Sequence, residues 1–217
     1  MAVLRQRGSA VPLLLATLAL LLAPAVLPAQ WTSIFPTTSF DGWTKVGDGI
    51  WNVTSDKILT GQRDRRTAKH QAWLYTQKEY REFDLRFEYW LRYNANSGIS
   101  IRDTSRAAFA CGDAHIGDKT PSHIGYEIQI LAAKSEKNPT GSLYLFQDAK
   151  TGHERFGDWN SMEVQVRDNL IKVLLNGHPV MQHPGDPNRP KSGPIGLQLH
   201  DPETVVMFRN IEIREAR

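Results

Sequence analysis

Apolar side chains recur at every second position along much of the chain, with polar ones between them. Phe83, Leu85, Phe87 and Tyr89 share one face of a segment whose other face carries Asp84, Arg86 and Glu88. Met162, Val164 and Val166 alternate in the same way with Glu163, Gln165 and Arg167. Ile171, Val173 and Leu175 follow after Asp168-Asn169, and Asn176-Gly177 leads on to Pro179-Val180-Met181. Both residues of an Asn-Gly pair tolerate the positive φ of a type I′ turn, so a hairpin is expected there. Phe208, Ile211 and Ile213, set against Asn210, Glu212 and Arg214, close the chain. A period of two is that of a half-buried strand, and past residue 30 no 3.6-residue stripe competes with it. Many short strands with turns at short intervals predict an all-β sandwich or jelly roll of two antiparallel sheets, with no second domain or repeat.

Three predicted strands carry unusual polar faces. Ile99 and Ile101 leave Ser100 and Arg102 opposite them. Tyr126, Ile128 and Ile130 leave Glu127 and Gln129, and Leu197 and Leu199 leave Gln198 and His200. An outer sheet face exposed to water is the plain reading of such alternation. Solvated faces favour Lys, Glu and Thr, however, whereas Arg, Glu, Gln and His suit directional bonds to hydroxyls and carbonyls. Two connections without strand pattern add to this, one between Arg102 and Gly125 and one from Gln147 to Asp158. Loops of such length are often functional. The second leads into Trp159-Asn160, which fits a sugar platform of ring and amide, or else a core Trp at a strand entrance.

Composition narrows the class. The 217 residues suit one domain, and the single Cys111 excludes an internal disulfide framework and a Cys-rich zinc site. The formal charge is +3, and without Arg5 and Arg7 the chain holds 24 basic against 23 acidic residues. Nothing in that balance points to nucleic acid or an acidic membrane surface. Arg5 and Arg7 precede an apolar run over 11–22, broken only by Thr17 and Pro12, and then come Ala23-Pro24-Ala25 and Leu27-Pro28-Ala29. This is the layout of a cleavable secretory signal over 1–29, cut after Ala29. The run is shorter than the roughly 20 residues a bilayer span requires. The expectation is a single domain over 30–217 acting in a secreted or periplasmic setting, with no lasting membrane association. His115, His123, His153 and His183 lack metal-ligand spacing, so neither a metal nor another cofactor is expected.

An ordered series of short motifs resembles a known family. It opens with Ile34-Phe35 and Phe40-Asp41-Gly42-Trp43, then Gly49-Ile50-Trp51-Asn52-Val53 and Ile58-Leu59-Thr60-Gly61. Trp73-Leu74-Tyr75-Thr76, Tyr80, Glu82-Phe83-Asp84-Leu85-Arg86-Phe87-Glu88-Tyr89 and Ala95-Asn96-Ser97-Gly98-Ile99 follow, with Arg102. Next come Gly125-Tyr126-Glu127-Ile128-Gln129-Ile130-Leu131, Gly141-Ser142-Leu143-Tyr144, Trp159-Asn160, Leu175-Asn176-Gly177 and Gly193-Pro194-Ile195-Gly196-Leu197-Gln198. Phe208-Arg209-Asn210-Ile211-Glu212-Ile213 ends the series. Each motif is weak alone; in this order, over 31–214, they resemble the 3-keto-disaccharide hydrolase domain family. The resemblance implies a concanavalin A-like jelly roll and cleavage of disaccharides whose C3 hydroxyl has become a ketone. Trp90 stands where the family commonly has Arg, Ser100 replaces a bulky apolar residue, and Asp201 follows His200 where Gly is usual. These positions shape the rim of a site rather than the fold.

A C3 ketone acidifies the C2 proton, so one base, one proton donor and one group for the enolate oxygen suffice to expel the C1 substituent. Glu127 and His200 are the candidate catalytic residues. Arg102 is a candidate for binding or for the enolate, and Asn96, Gln129, Trp159, Asn160 and Gln198 are candidate sugar-binding residues. Ordinary glycoside hydrolysis needs a second carboxylate, which Asp103, Asp113 or Asp118 in the loop could supply. Glu127 could instead be fixed by Arg102 in a structural ion pair. A non-catalytic extracellular carbohydrate-binding module is the alternative function, and a scaffold domain is a third.

Overall fold

A computed structural model describes residues 29–216 of the chain. The expected signal segment, 1–29, lies outside the described residues except for Ala29. Thirteen strands follow in order: β1 (Thr32–Ser33), β2 (Trp43–Val46), β3 (Ile50–Val53), β4 (Leu59–Gln62), β5 (Ala72–Thr76), β6 (Phe83–Leu91), β7 (Asn96–Ile101), β8 (Tyr126–Leu131), β9 (Asn160–Arg167), β10 (Leu170–Leu175), β11 (His178–His183), β12 (Ile195–Leu199) and β13 (Val205–Glu215). One sheet runs β11-β10-β9-β6-β13-β4-β3, with β1 also on β13; the other runs β2-β5-β12-β7-β8. Every pairing is antiparallel. The expected two-sheet antiparallel sandwich is what the chain forms.

The alternating residues do what their period requires. Phe83, Leu85, Phe87 and Tyr89 of β6 are buried, as are Ile99 and Ile101, Ile128 and Ile130, and Leu197 and Leu199 from the facing sheet. Burying each such side chain favours folding by about 1.5–3 kcal/mol, which makes this layer the main cohesive term. The Asn176-Gly177 turn has φ values of 51° and 81°, and it joins Leu175 to His178 in register, as a type I′ hairpin demands. Phe208 and Ile211 are three apart yet both buried, because the register slips between Arg209 and Glu212 with Asn210 at φ 53°. The extra residue of this bulge restores the inward alternation.

The connection 102–125 holds two 3₁₀ turns, Gly112–Ala114 and Gly117–Lys119, and one short helix, α1 (Pro121–Ile124). It folds back over the outer face of the five-stranded sheet, where Ala107 and Ala110 pack on Trp73 and Tyr75 of β5. A face that would otherwise meet water is thereby largely closed.

Candidate active site

The outer face of the five-stranded sheet reads as a grid. Thr44, Tyr75, Gly196, Ser100 and Glu127 form one row across β2, β5, β12, β7 and β8. The adjacent row holds Val46, Trp73, Gln198, Gly98 and Gln129. One step further along the strands, the His200 N–H donates to the Asn96 carbonyl at 3.4 Å, which seats both residues, each part-exposed, at the edge of this grid. Glu127, Gln129, Gln198 and His200 are therefore brought together, as expected from their alternation, and Asn96 joins them.

Glycine makes the approach possible. A Cβ placed on Gly98 would lie 3.1 Å from both Gln198 Oε1 and Glu127 Oε1, so the tips of these two side chains close over the bare backbone of β7. Glu127 is 4% exposed. Burial pushes its carboxyl up from 4.5 to about 7; the His200 charge and the nearby Gln198 amide, which does not reach hydrogen-bond geometry, pull the other way. Both polar atoms of the Gln198 side chain are buried with no hydrogen-bond partner, and so is the Ser100 hydroxyl. Buried amides are normally satisfied, and an unfilled one beside a carboxyl is poised for an incoming hydroxyl or carbonyl. Gln129 Nε2 donates to Asn96 Oδ1 at 3.3 Å, closing the polar row on the β8 side.

His200 stands at the mouth, its side chain 39% exposed, with Nδ1 2.7 Å from Asp201 Oδ1. Burial alone would depress the imidazole. The hydrogen bond and charge of Asp201, with the charge of Glu127, outweigh it and hold the pKa above 6.5. With its Nδ1 proton held by Asp201, the ring keeps Nε2 as its remaining exchangeable position. The Asp201 that departs from the family pattern thus orients the histidine. From behind, the Arg63 guanidinium donates to the His200 carbonyl at 3.1 Å, to the Lys69 carbonyl at 3.0 Å and to Asp48 Oδ1 at 2.7 Å, and it also reaches the His70 carbonyl.

Three expected site residues fall elsewhere. Arg102 follows the last β7 residue at φ 61°, so its side chain leaves the alternation. Its Nη2 donates to the Arg81 carbonyl at 2.9 Å and the Asp168 carbonyl at 2.6 Å, which ties the end of β7 to the opposite sheet rather than to Glu127. Neither an ion pair with Glu127 nor a place beside an enolate is open to it. Asn160 points between the sheets: its Oδ1 accepts from the Arg155 N–H at 2.8 Å and from Asn176 Nδ2 at 2.8 Å, while Nδ2 donates to the Arg155 and Asp158 carbonyls. Trp159 sits on the eight-stranded sheet, with the Arg209 guanidinium 4.1 Å above its ring. Such capping leaves that ring face unavailable to a sugar.

The loop carboxylates do not supply a second acid. Asp103 is fully buried and saturated, accepting from the Tyr75 hydroxyl at 2.8 Å, the Ala107 N–H at 2.7 Å, and the Ser105 N–H and hydroxyl at 2.9 and 2.7 Å. Asp113 is exposed and paired with Lys69 at 2.9 Å, and Asp118 is exposed on a 3₁₀ turn. Tyr75, Asp103, Arg63 and Asp201 are the members of this region that periodicity did not single out. The alternation of Trp73 and Tyr75 across Leu74 was the available signal for the first of them.

The family profile described as 3-keto-alpha-glucoside-1,2-lyase-like domain matches residues 30–214. No curated protein sequence matches the chain. Among solved structures, a presumed glycosyl hydrolase of Parabacteroides distasonis superimposes with a TM-score of 0.67 at 22% identity, over 86% of this chain and 100% of that one. A carbohydrate-binding module of family 66 from Bacillus subtilis gives 0.55 at 14% identity, over 80% and 96%. The Bacillus licheniformis β-glucanase gives 0.56 at 10% identity, over 88% and 100%. At these identities the structural likenesses speak for the jelly-roll fold, which hosts catalysts and binding modules alike. The family profile ties the chain to carbohydrates.

Proposed function

The chain belongs to the 3-keto-alpha-glucoside-1,2-lyase-like domain family, and on that premise we propose that it opens the glycosidic bond of 3-keto-disaccharides by β-elimination. Glu127, as carboxylate, removes the proton at C2. The electron pair forms the C1–C2 double bond as the C1–O bond breaks, and His200 delivers a proton from Nε2 to the departing oxygen. The Gln198 amide, free of other partners, donates to the C3 oxygen as negative charge builds there, in place of Arg102, which is tied to the Arg81 and Asp168 carbonyls. Asn96 and Gln129 take sugar hydroxyls. The products are a free sugar and a 2-hydroxy enone, and water adding at C1 completes a net hydrolysis.

The observation that supports this most directly is a single enclosed carboxyl beside a histidine and an unsatisfied amide. Retaining and inverting glycosidases need two carboxyl groups across the bond, about 5–9.5 Å apart. Among the described residues of this face Glu127 is the carboxylate available, since Asp103 is committed and Asp201 is spent on His200. One base and one acid suit elimination.

Incubation with a 3-keto-disaccharide and with its unoxidised parent tests the reading. Only the oxidised sugar should be cleaved, with enone absorbance rising as monosaccharide appears and with a primary isotope effect for deuterium at C2. Glu127→Gln should lower the rate by about 10³-fold, the middle of the range of about 10²–10⁴ for loss of a positioned base. Equal cleavage of the parent sugar, or full turnover in both Glu127→Gln and His200→Ala, would sink it.

A further inference from the structure

A cavity lies at the end of the sandwich where β8 and β10 finish. It encloses about 480 Å³ between the segments following β8 and those preceding β9, with Leu175 of β10 among its walls. None of Asn96, Glu127, Gln129, Gln198 or His200 contributes to its lining. The volume falls within the usual range for small-ligand sites, about 300–1,000 Å³.

Three features of the lining converge on one ligand class. Phe156 borders the cavity and is 41% exposed, and it meets the ring of Tyr93, 57% exposed, edge-on at 6.2 Å and 89°. The edge contact fixes the orientation of Phe156 without covering it, which is how a ring is kept available to an apolar face. Within the cavity, Glu154 Oε1 accepts from the Tyr89 hydroxyl at 2.9 Å. Burial pushes the Glu154 carboxyl up to about 7, against the pull of the Thr140 and Tyr89 hydroxyls, so near neutrality it offers both a donor and an acceptor. Lys134 and Lys150 share the lining with Glu136 and a partly protonated Glu154, so it carries only a small net charge. A strongly ionic ligand would find no large excess of counter-charge, and a purely apolar one would strand the part-buried Glu154 carboxyl.

A molecule with one C–H face and a ring of hydroxyls satisfies all three. We propose that this cavity is a second carbohydrate site, holding one neutral pyranose unit with its C–H face on Phe156 and its hydroxyls on Glu154, Lys134 and Lys150. Its place at the far end of β8 makes it independent of the Glu127 chemistry. It would retain the enzyme on a saccharide without cleaving it.

The test uses sugars that lack a ketone. Methyl α-glucoside and trehalose are titrated into the protein, with binding read by calorimetry and by amide NMR shifts. Resonances of His153, Glu154 and Phe156 should move, and Phe156→Ala should weaken binding up to about tenfold, the loss expected for one aromatic contact. That variant should leave turnover of a 3-keto-disaccharide unchanged. Glu127→Gln should do the reverse, abolishing turnover while keeping trehalose bound. Glu154→Gln, which preserves one donor and one acceptor, should bind, whereas Glu154→Leu should not. Absence of shifts around the cavity with either sugar near its solubility limit, or binding unchanged in Phe156→Ala, overturns the proposal. Neither result bears on the elimination reading, because the two are scored on different variants.

Discussion

The Glu127 carboxyl keeps its proton to about pH 7, where an ordinary glutamate gives it up near 4.5, and burial is the cause. A base must be ionised to act, so turnover of a 3-keto-disaccharide should climb as pH rises through about 7. His200 must hold its proton to serve as the acid, and Asp201 keeps it protonated above its ordinary 6.5. The rate should therefore fall again on the alkaline side, giving a bell-shaped profile. In Asp201→Asn the ring loses its anionic partner, so the alkaline limb should move to lower pH while the acid limb stays in place. A structural role for Asp201 alone would lower the rate at every pH without displacing a limb, and a pH–kcat/KM profile separates the two. Arg63 and Asp201 escaped the sequence pattern for a simple reason. Both flank strands or sit in turns, where no two-residue period marks which way a side chain faces.

The element that most constrains the site is the connection 102–125. Its hold on the sheet runs through Asp103, whose carboxylate accepts four hydrogen bonds from Tyr75, Ser105 and Ala107. Asp103→Ala removes the acceptor and leaves the Tyr75 hydroxyl buried without a partner, at a cost of about 2–4 kcal/mol by the usual values for charged hydrogen bonds and stranded donors. Urea unfolding should show that loss, and limited proteolysis should cut within 103–124 before the rest of the chain. If the segment instead stays as resistant as in the parent, Asp103 is not its anchor. The alternation of β7, β8 and β12 was legible from the chain and put Glu127, Gln129, Gln198 and His200 on one face. It failed at Arg102 because a positive φ on a non-glycine residue cannot be seen in a period-two pattern, and one such residue reverses the side chain's course. It failed at Trp159 and Asn160 because a ring beside an amide looks the same whether it meets a sugar, an Arg209 guanidinium or the local backbone.

At the scale of the molecule two sets of carboxyls titrate in opposite senses. On the eight-stranded sheet, burial would raise the Asp84 carboxyl, but the Arg167 and Arg214 guanidiniums outweigh it and hold the pKa below 3.8. Asn210 and Arg209 likewise overcome burial and hold Glu88 below 4.5. These groups stabilise the fold above their unfolded pKa values, and that stability is lost as pH falls through the lower folded values. Glu127 and Glu154 behave in the opposite way, since burial raises both from 4.5 to about 7. The folded state retains two protons that the unfolded chain releases, so stability is fully present below about 4.5 and declines as pH rises toward 7. The raised His200 adds a smaller loss in the same direction above 6.5. The two slopes place the stability maximum on the acid side of neutrality, near the ordinary carboxylate range. Glu127 contributes about 3 kcal/mol to the upper slope at full burial, by the conversion of pKa to free energy. Urea midpoints measured from pH 3 to 8 should peak near pH 5. Glu127→Gln should flatten the upper slope and leave the protein more stable than its parent at pH 8, though inactive. Asp84→Asn should weaken the lower slope alone. A midpoint that rises steadily to pH 8 would mean that Glu127 is ionised and solvated in the folded protein, and the enclosed carboxyl on which the elimination chemistry rests would be lost with it.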